Sequence, residues 1–397
     1  MSSRSRLSRG LGCSYIAVAG LALLTAACSG DSDDASGSDG ITGASAPTGG
    51  ATQSQTTSGT DNASSAGPTA GAETDGASGS TGALETSGTD PIKYDVAGAP
   101  DGGSGSECGL EPHVPCDAGA SDPFQAMGLN CPGEGGLQVA GETTYADPLG
   151  LTILSSFGEG DTYLPTEGSS YAVLSTGEVA QLFDAPDSPG DAAFHCNSWL
   201  PADGMDTTSF PPPIVKNEVA GDCLQDPGLV GTGDCSNTIK DQFDQSGFKY
   251  DYQELRLSAT VPEGASSLSF DVAFMTKEYP IWLDKPYNDM FIAWLESSAW
   301  TGNISFDPNG EALSLNAAFF EFFDEAGDLP QFSGTCMRYS AGTPWLTTSV
   351  SVVAGETIEL VFAVFDVEDV NWDSVVLLDN VRWGCDEIGE PVTEPPQ

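Results

Sequence analysis

The sequence predicts an all-β protein: a β-sandwich or jelly-roll-like domain that follows a disordered N-terminal tether. Three observations support this prediction. Beyond Cys108, short runs of alternating apolar and polar residues are separated by Gly, Pro, Asn and Asp. No long segment repeats its apolar residues at the helical period. Before Cys108, the chain consists almost entirely of Gly, Ser, Thr, Ala and Asp.

The first element, residues 1–27, has the composition of a signal peptide. Arg4, Arg6 and Arg9 precede an apolar run that ends in small residues at Ala26 and Ala27. A basic start, about 7 to 15 apolar residues and small residues at the cleavage site define a secretory signal. We therefore expect an exported protein.

The cysteine after this run makes the signal more specific. The segment Thr-Ala-Ala-Cys at residues 25–28 resembles the lipobox of bacterial lipoproteins. The resemblance implies cleavage before Cys28, a diacylglycerol on its thiol and a membrane as partner through that lipid. The alternatives are an ordinary secretory signal that contains a cysteine and a retained transmembrane helix, for which this stretch is near the short limit.

The second element, residues 28–106, is predicted to be a disordered tether, because its composition cannot bury enough apolar surface to offset the ordering entropy. A Gly/Ser-like coil of about 75 residues spans about 45 to 50 Å, enough to hold a domain clear of lipid head groups. In Gram-negative bacteria, Asp after the acylated cysteine retains a lipoprotein at the inner membrane. Ser29 therefore favours the outer membrane. We expect display on the cell surface; a periplasm-facing domain is the alternative.

Acidic residues dominate the charge of the chain. Asp and Glu number 58 against 12 Lys and Arg, and the formal net charge is −46. Phosphate binding needs a basic patch, so nucleic acid is not expected as a partner. The acidity suits a soluble domain in an extracellular setting, and binding of a divalent cation is the alternative interpretation.

The ten cysteines divide by position. Cys13 lies in the signal and Cys28 is the lipid site, which leaves an even set in the exported chain: Cys108, Cys116, Cys131, Cys196, Cys223, Cys235, Cys336 and Cys385. Such a set predicts up to four disulfides, among on the order of a hundred possible pairings. We expect the first three to pin the entrance of the domain, the next three to staple an insertion, and Cys336 to pair with Cys385. A zinc site is disfavoured because C-x-x-C is absent and the sequence has only two histidines.

The strands are predicted from residue periodicity. Residues 254–258 and 267–275 alternate apolar and polar side chains, as in strands with one buried face. Residues 357–365 and 374–381 are apolar on both faces, as in central strands between two layers. Residues 184–249 break this rhythm and predict a long excursion. In residues 267–275 the apolar side chains expected to share one face are Leu268, Phe270, Val272 and Phe274.

Five motifs in this order resemble the choice-of-anchor L domain of bacterial surface proteins: Tyr171 to Gly177, Glu278-Tyr279-Pro280, Tyr287 to Phe291, Asp366 to Asp369 and Asp373 to Asn380. Residues 131–134 look like the version found in myxobacterial lipoproteins. The resemblance implies a domain held to the cell by interchangeable anchors, here a lipid, and implies no known activity. The long Cys-rich insertion departs from the usual pattern.

These observations divide the chain into a signal (1–27), a tether (28–106), a cysteine-containing segment (107–136), the sandwich (137–388, with the insertion at 184–249) and a tail (389–397). About 280 residues after the tether favour one large sandwich over two domains.

Structural calcium is the favoured metal hypothesis, because calcium takes 6 to 8 oxygen ligands and suits loops of an exported β-sandwich. Residues 378–381 also look like the last strand of jelly-roll carbohydrate-binding modules, where an aspartate often holds calcium. The alternative is that these side chains cap a turn or pair with backbone at a strand end. The candidate ligands are Glu278, Asn288, Asp289, Asp373, Asp379 and Asn380.

Aromatic residues near these acids suggest a platform on which a sugar ring could stack. Trp282 and Trp372 are the candidates, since both lie in polar, loop-like contexts. Most other aromatics in this region are expected in the core.

No catalytic signature is present: the chain lacks G-x-S-x-G, H-E-x-x-H and G-x-x-x-x-G-K. We expect a non-enzymatic binding or adhesion module for an extracellular glycan or protein. The first alternative is a carboxylate-dependent hydrolase of the glycoside hydrolase type that uses Glu278 and Asp289. The second is a purely structural surface coat.

Overall fold

The computed structural model describes residues 108–110, 113–131, 138–201, 209–216, 222–240, 248–283 and 285–396. All of them belong to one unit that runs from Pro91 to Gln397. The predicted signal peptide, the lipid site at Cys28 and the tether at 28–106 lie outside the described residues.

The described chain is nearly all β, as predicted. One short helix, α1 (Pro123–Ala126), is capped by the Asp122 carboxylate. The strands in chain order are β1 (Ala140–Glu142), β2 (Leu151–Leu154), β3 (Tyr171–Ser175), β4 (Lys249–Thr260), β5 (Ser267–Thr276), β6 (Met290–Glu296), β7 (Thr301–Asn303), β8 (Leu313–Ser314), β9 (Phe322–Phe323), β10 (Ala341–Gly342), β11 (Leu346–Ser351), β12 (Thr357–Val367), β13 (Ser374–Gly384) and β14 (Val392–Glu394).

The strands form two antiparallel sheets that pack face to face. The first has the order β1-β4-β12-β6-β7, with β8 beside β6. The second has the order β14-β11-β5-β13-β3-β2, with β10 beside β5 and β9 beside β10. The two strands predicted to be apolar on both faces are β12 and β13, and each is interior in its sheet, which confirms that prediction.

The main core lies between the sheets and contains the predicted apolar face of β5. Phe270 of β5 meets Phe362 of β12 with ring centroids 4.8 Å apart. The outer faces are covered as well. A second cluster that includes Phe332 and Trp345 packs on Val375 and Leu377 of β13. Residues of the excursion cover the outer face of β6 and β12: Phe210, Ile214 and Ile239.

Four disulfides form, and one predicted pairing is wrong. Cys116 pairs with Cys131, and Cys223 pairs with Cys235 inside the predicted insertion. Cys336 pairs with Cys196, and Cys385 pairs with Cys108, instead of with each other. The physical reason is distance, because Cys385 ends β13 at the chain entrance, whereas Cys336 lies beside residue 182.

The predicted excursion leaves β3 and returns at β4. The described residues between β3 and β4 form 3-10 turns at Val179–Gln181, Ala192–Phe194 and Pro227–Leu229, of which the last two lie in the predicted excursion (184–249). The described residues of the excursion belong to no strand before Lys249, the first residue of β4. Within the described ranges, no helix is both long and apolar enough to cross a membrane.

Candidate functional site

Two loops meet at one end of the sandwich. Residues 277–289 connect β5 to β6, and residues 368–373 connect β12 to β13. Thr276 and Ser374 are register partners, as are Met290 and Phe365, so both loops cross between the sheets at the same edge. Loops on a rigid sheet are common carriers of function.

Three aromatic side chains form a line on these loops, which we call the aromatic ridge (Trp282, Tyr287, Trp372). The ring centroids of Trp282 and Tyr287 are 4.4 Å apart, and those of Trp282 and Trp372 are 5.7 Å apart. All three are half-buried. Ile281 and Leu283, on either side of Trp282, are 59% and 40% exposed. The structure thus brings together the two tryptophans that the sequence selected and surrounds them with exposed apolar surface.

A cavity of about 250 Å³ opens beside the ridge. Its lining combines aromatic, apolar and charged side chains, among them Lys277, Tyr279, Ile281, Asp324, Tyr339 and Trp372. The Tyr279 hydroxyl lies 3.2 Å from Glu325 Oε1 and donates to it. Apolar walls with a few placed polar groups are typical of small-ligand pockets.

Beneath the ridge lie three buried acids, the carboxyl cluster (Glu278, Asp289, Asp366), which are 3%, 1% and 1% exposed. The Asp289 N–H donates to Glu278 Oε2 at 3.0 Å. Asp289 itself accepts two hydrogen bonds, from the Val367 N–H at 3.0 Å and the Ser374 hydroxyl at 2.8 Å.

Burial shifts the titration of all three acids in one direction. It raises the pKa of Asp289 to about 8, against the lowering effect of the Ser374 and Val367 hydrogen bonds. Burial raises the pKa of Glu278 well above its usual value, and the nearby charge of Asp289 adds to the shift. The pKa of Asp366 rises well above normal through burial and then through the charge of Asp289. Each carboxylate therefore disfavours ionisation of the next.

Asp373 lies next to this cluster and is tied to the excursion. Its carboxylate accepts hydrogen bonds from the Ser198 N–H at 3.1 Å and the Ser198 hydroxyl at 3.2 Å. A Cβ on Gly177 would overlap the Asp373 carboxylate, so only glycine fits there. Burial raises the pKa of Asp373 to about 7, and the Lys277 ammonium opposes this shift.

The structure separates the six predicted calcium ligands into two groups. Glu278, Asp289 and Asp373 lie at the loop end of the sandwich, where the buried Asn288 precedes Asp289. Asp379 stands six residues further along β13 than Asp373, a distance of about 20 Å in an extended strand. The six side chains therefore do not meet at one point.

Asp379 and Asn380 form hydrogen bonds to other parts of the protein, and Asp379 pairs with backbone as in the alternative interpretation. Asp379 Oδ2 accepts the N–H groups of Thr166 at 2.7 Å and Glu167 at 3.1 Å. The Asn380 amide donates to Asp271 Oδ2 at 2.8 Å. These contacts pin a loop to β13 and use the oxygens that a metal would need.

Among the described residues, no group of three or more His, Cys, Asp or Glu side chains is arranged to hold an ion. The cluster supplies oxygen donors only, which suits hard cations such as calcium and does not suit zinc. The predicted hydrolase pair, Glu278 and Asp289, does converge. Both carboxyls are buried and bonded to protein groups: Glu278 Oε2 accepts the Asp289 N–H, and the Asp289 carboxylate accepts the Val367 N–H and the Ser374 hydroxyl.

Sequence reasoning missed Asp366 and Lys277 as members of this region. Asp366 lies near the end of the strand Thr357–Val367, directly after the apolar run from Leu360 to Phe365. Burying a carboxylate without a partner costs free energy. An aspartate at the end of a largely buried strand is therefore the sequence signal that could have identified this residue. Lys277 directly follows β5 and is 6% exposed.

No family model matches the chain, and no curated protein or solved structure was found to be similar to it.

Proposed function

We propose that this chain is a lipid-anchored cell-surface protein whose disulfide-stapled β-sandwich is a non-catalytic binding module for an extracellular glycan. The observation that supports the binding role is the contact between Trp282 and Trp372 beside an open cavity. Flat, rigid aromatic side chains offer a large contact area at a low entropic cost.

The chemistry of the cavity favours a glycan over a purely apolar ligand. A sugar has apolar C–H faces and polar hydroxyl edges. The ridge would contact the faces, and Lys277, Glu325 and the Tyr279 hydroxyl are placed to meet hydroxyl groups. The burial of the Glu278 and Asp289 carboxyls supports binding without hydrolysis, because a glycosidic bond needs direct access to both groups.

The anchor follows from the N-terminal sequence. The lipobox-like segment at 25–28 supports acylation at Cys28, and Ser29 supports transfer to the outer membrane. The motifs similar to choice-of-anchor L domains support display outside the cell. In such proteins the anchor is interchangeable, so the binding activity would belong to the sandwich.

The test is binding of the full chain to a panel of polysaccharides, with Trp282→Ala, Trp372→Ala and the double variant. We expect the double variant to bind about 10- to 100-fold more weakly, since truncating aromatic anchors removes most of the energy of such a contact. Trp383→Ala is the matched control. Trp383 is also half-buried, and it lies near the far end of β13.

Each outcome decides between functions. Equal affinities for the double variant and the unmodified chain would refute the aromatic ridge as the binding surface. Saturable binding to a protein but to no polysaccharide would replace the glycan by a protein partner. Binding to cells that never saturates would favour the structural coat.

A further inference from the structure

Asp366 is a buried acid whose two carboxyl oxygens accept no hydrogen bond from any described residue. It is 1% exposed, so water does not solvate it from the surface. The Thr176 hydroxyl lies close enough to lower the pKa of Asp366 slightly against the effect of burial. A buried polar group without partners costs free energy, and a buried charge costs more, so such a group signals a missing ligand.

The oxygens of Asp366 face other acids. Asp289 lies within side-chain hydrogen-bonding range of Asp366, and the Asp289 N–H in turn binds the Glu278 carboxylate. Asp369 adds a further negative charge that acts on both Glu278 and Asp289. Two elements thus bring carboxyls to one place: the loop between β5 and β6, which carries Glu278 and Asp289, and the end of β12, which carries Asp366.

Among the ion pairs between described residues, none includes an acid of the cluster. The Lys277 ammonium donates to the carbonyl oxygens of Cys336 at 3.0 Å and Arg338 at 3.3 Å, and its charge acts on Asp373. The charge of the buried Lys249 interacts with Glu368. The described ion pairs involve other acids, such as the Arg256 pairs with Glu254 and Glu359. The ionised form of this cluster, buried in a chain with a net charge of −46, requires a compensating positive charge.

We propose that Glu278, Asp289 and Asp366 together bind one calcium ion. The donors are all oxygens, which selects a hard cation. Calcium accepts 6 to 8 protein oxygens in a flexible shell, whereas magnesium keeps several waters and suits a dry site poorly. Asn288, main-chain carbonyls and water supply the remaining ligands. Because like charges repel, the carboxyls lie further apart without the ion than with it.

The ion would join the two loops that carry the aromatic ridge. Trp282 and Tyr287 lie between Glu278 and Asp289 in sequence, and Trp372 follows Asp366 by six residues. Calcium would then hold the ridge in its binding geometry. This consequence rests on the proposed function, whereas the calcium site itself does not.

The test uses the purified full chain, stripped with a chelator and titrated with calcium chloride. We expect one calcium ion per chain by equilibrium dialysis, with a dissociation constant at or below about 1 mM. At saturation the melting temperature should rise by about 5 °C or more, because a ligand that binds only the folded state stabilises it. Asp366→Asn should abolish both effects while preserving side-chain volume.

Asp379→Asn is the matched control, because it also removes a buried acid, one that lies in β13 away from the cluster. This variant should retain full calcium binding. Loss of binding in Asp379→Asn, or full binding in Asp366→Asn, would place the ion elsewhere. No bound calcium and no change in the melting temperature of the unmodified chain would overturn the proposal even if neither variant folds.

The same samples separate this proposal from the binding function. Polysaccharide binding measured with calcium and with chelator gives two independent readouts. Bound calcium without any polysaccharide binding would sink the glycan proposal and leave the calcium site intact. Polysaccharide binding with no bound calcium would refute the calcium site and leave the glycan proposal intact.

Discussion

Asp379 is a buried acid that accepts its hydrogen bonds from backbone and from one hydroxyl. The Thr166 N–H and hydroxyl and the Glu167 N–H donate to Oδ2, and the Asn380 N–H donates to Oδ1 at 2.7 Å. Burial nevertheless raises its pKa to about 7. Its neighbours in sequence suggest a metal ligand, whereas its hydrogen bonds in the structure hold the loop of Thr166 and Glu167 against β13.

This pKa predicts a pH dependence. The unfolded aspartate titrates near about 3.9, so the folded state retains a proton between about pH 4 and 7 that the unfolded state has lost. The contribution of this group to stability is full below about pH 4 and is lost as the pH rises through about 7. Asn cannot titrate. The stability of Asp379→Asn relative to the unmodified chain should therefore improve by about 2 to 4 kcal/mol between pH 4 and pH 8.

Denaturant unfolding of both proteins, measured without calcium at a series of pH values, checks this expectation. Comparing each protein with itself across the series cancels the constant cost of replacing the carboxylate. A stability difference that stays flat with pH would show that the folded carboxyl titrates near its unfolded value.

At the scale of elements, the excursion between β3 and β4 is attached to the sandwich through Asp234. Its Oδ1 accepts the Asn303 N–H of β7 at 3.1 Å, and its Oδ2 accepts the Thr238 N–H at 2.9 Å. Ser236 donates through both its N–H and its hydroxyl. One 1%-exposed carboxylate thus satisfies donors from two elements.

We expect Asp234→Ala to cost about 3 to 5 kcal/mol, because it leaves several buried donors without an acceptor. Asp226→Ala is the control in the same excursion. Its carboxylate accepts only the exposed Gly228 N–H at 3.0 Å, so the loss should stay below about 1 kcal/mol. Chemical denaturation of both variants checks the contrast, and equal losses would contradict the proposed attachment.

At the scale of the whole molecule, the disulfide between Cys108 and Cys385 joins the entrance of the domain to the end of β13. It spans 277 residues, whereas the Cys223–Cys235 disulfide spans 12. A cross-link removes more entropy from the unfolded chain when the loop it closes is longer.

Replacing Cys108 and Cys385 by Ser should therefore destabilise the protein by about 5 kcal/mol, and the same change at Cys223 and Cys235 by about 3 kcal/mol. Thermal and denaturant unfolding under oxidising conditions measure both. A smaller loss for the long-range pair would mean that the entrance segment adds no restraint beyond its packing.

Much of the fold could be predicted from local pattern. The alternation in β5 and the doubly apolar runs of β12 and β13 are properties of consecutive residues, and the structure confirms all three. Glu254 shows the limit. It alternates with Leu255 as expected of an outward side chain, yet it is fully buried, because the excursion covers that face and Arg256 pairs with it at 3.0 Å.

The candidate site was predicted in part. Trp282 and Trp372 were selected because both combine an aromatic ring with a polar, loop-like context. Asp366 is not predicted because the residues before it in its strand are apolar, and its proximity to Asp289 depends on the loop that precedes β6. Cys336 was assigned the wrong partner for the same reason, since its neighbour Cys196 belongs to a distant segment.

By itself, then, the sequence determined the all-β class, the strand periods, the acidic character and the lipobox-like start, because each is carried by residues adjacent along the chain. The tertiary structure decided which carboxyls meet, which cysteines pair and which faces are covered. These depend on strand order and register, which join residues up to 277 positions apart. Sheet order places Glu278 and Asp289 beside Asp366, which the sequence did not single out, and places Asp379 at a separate position where it holds a loop.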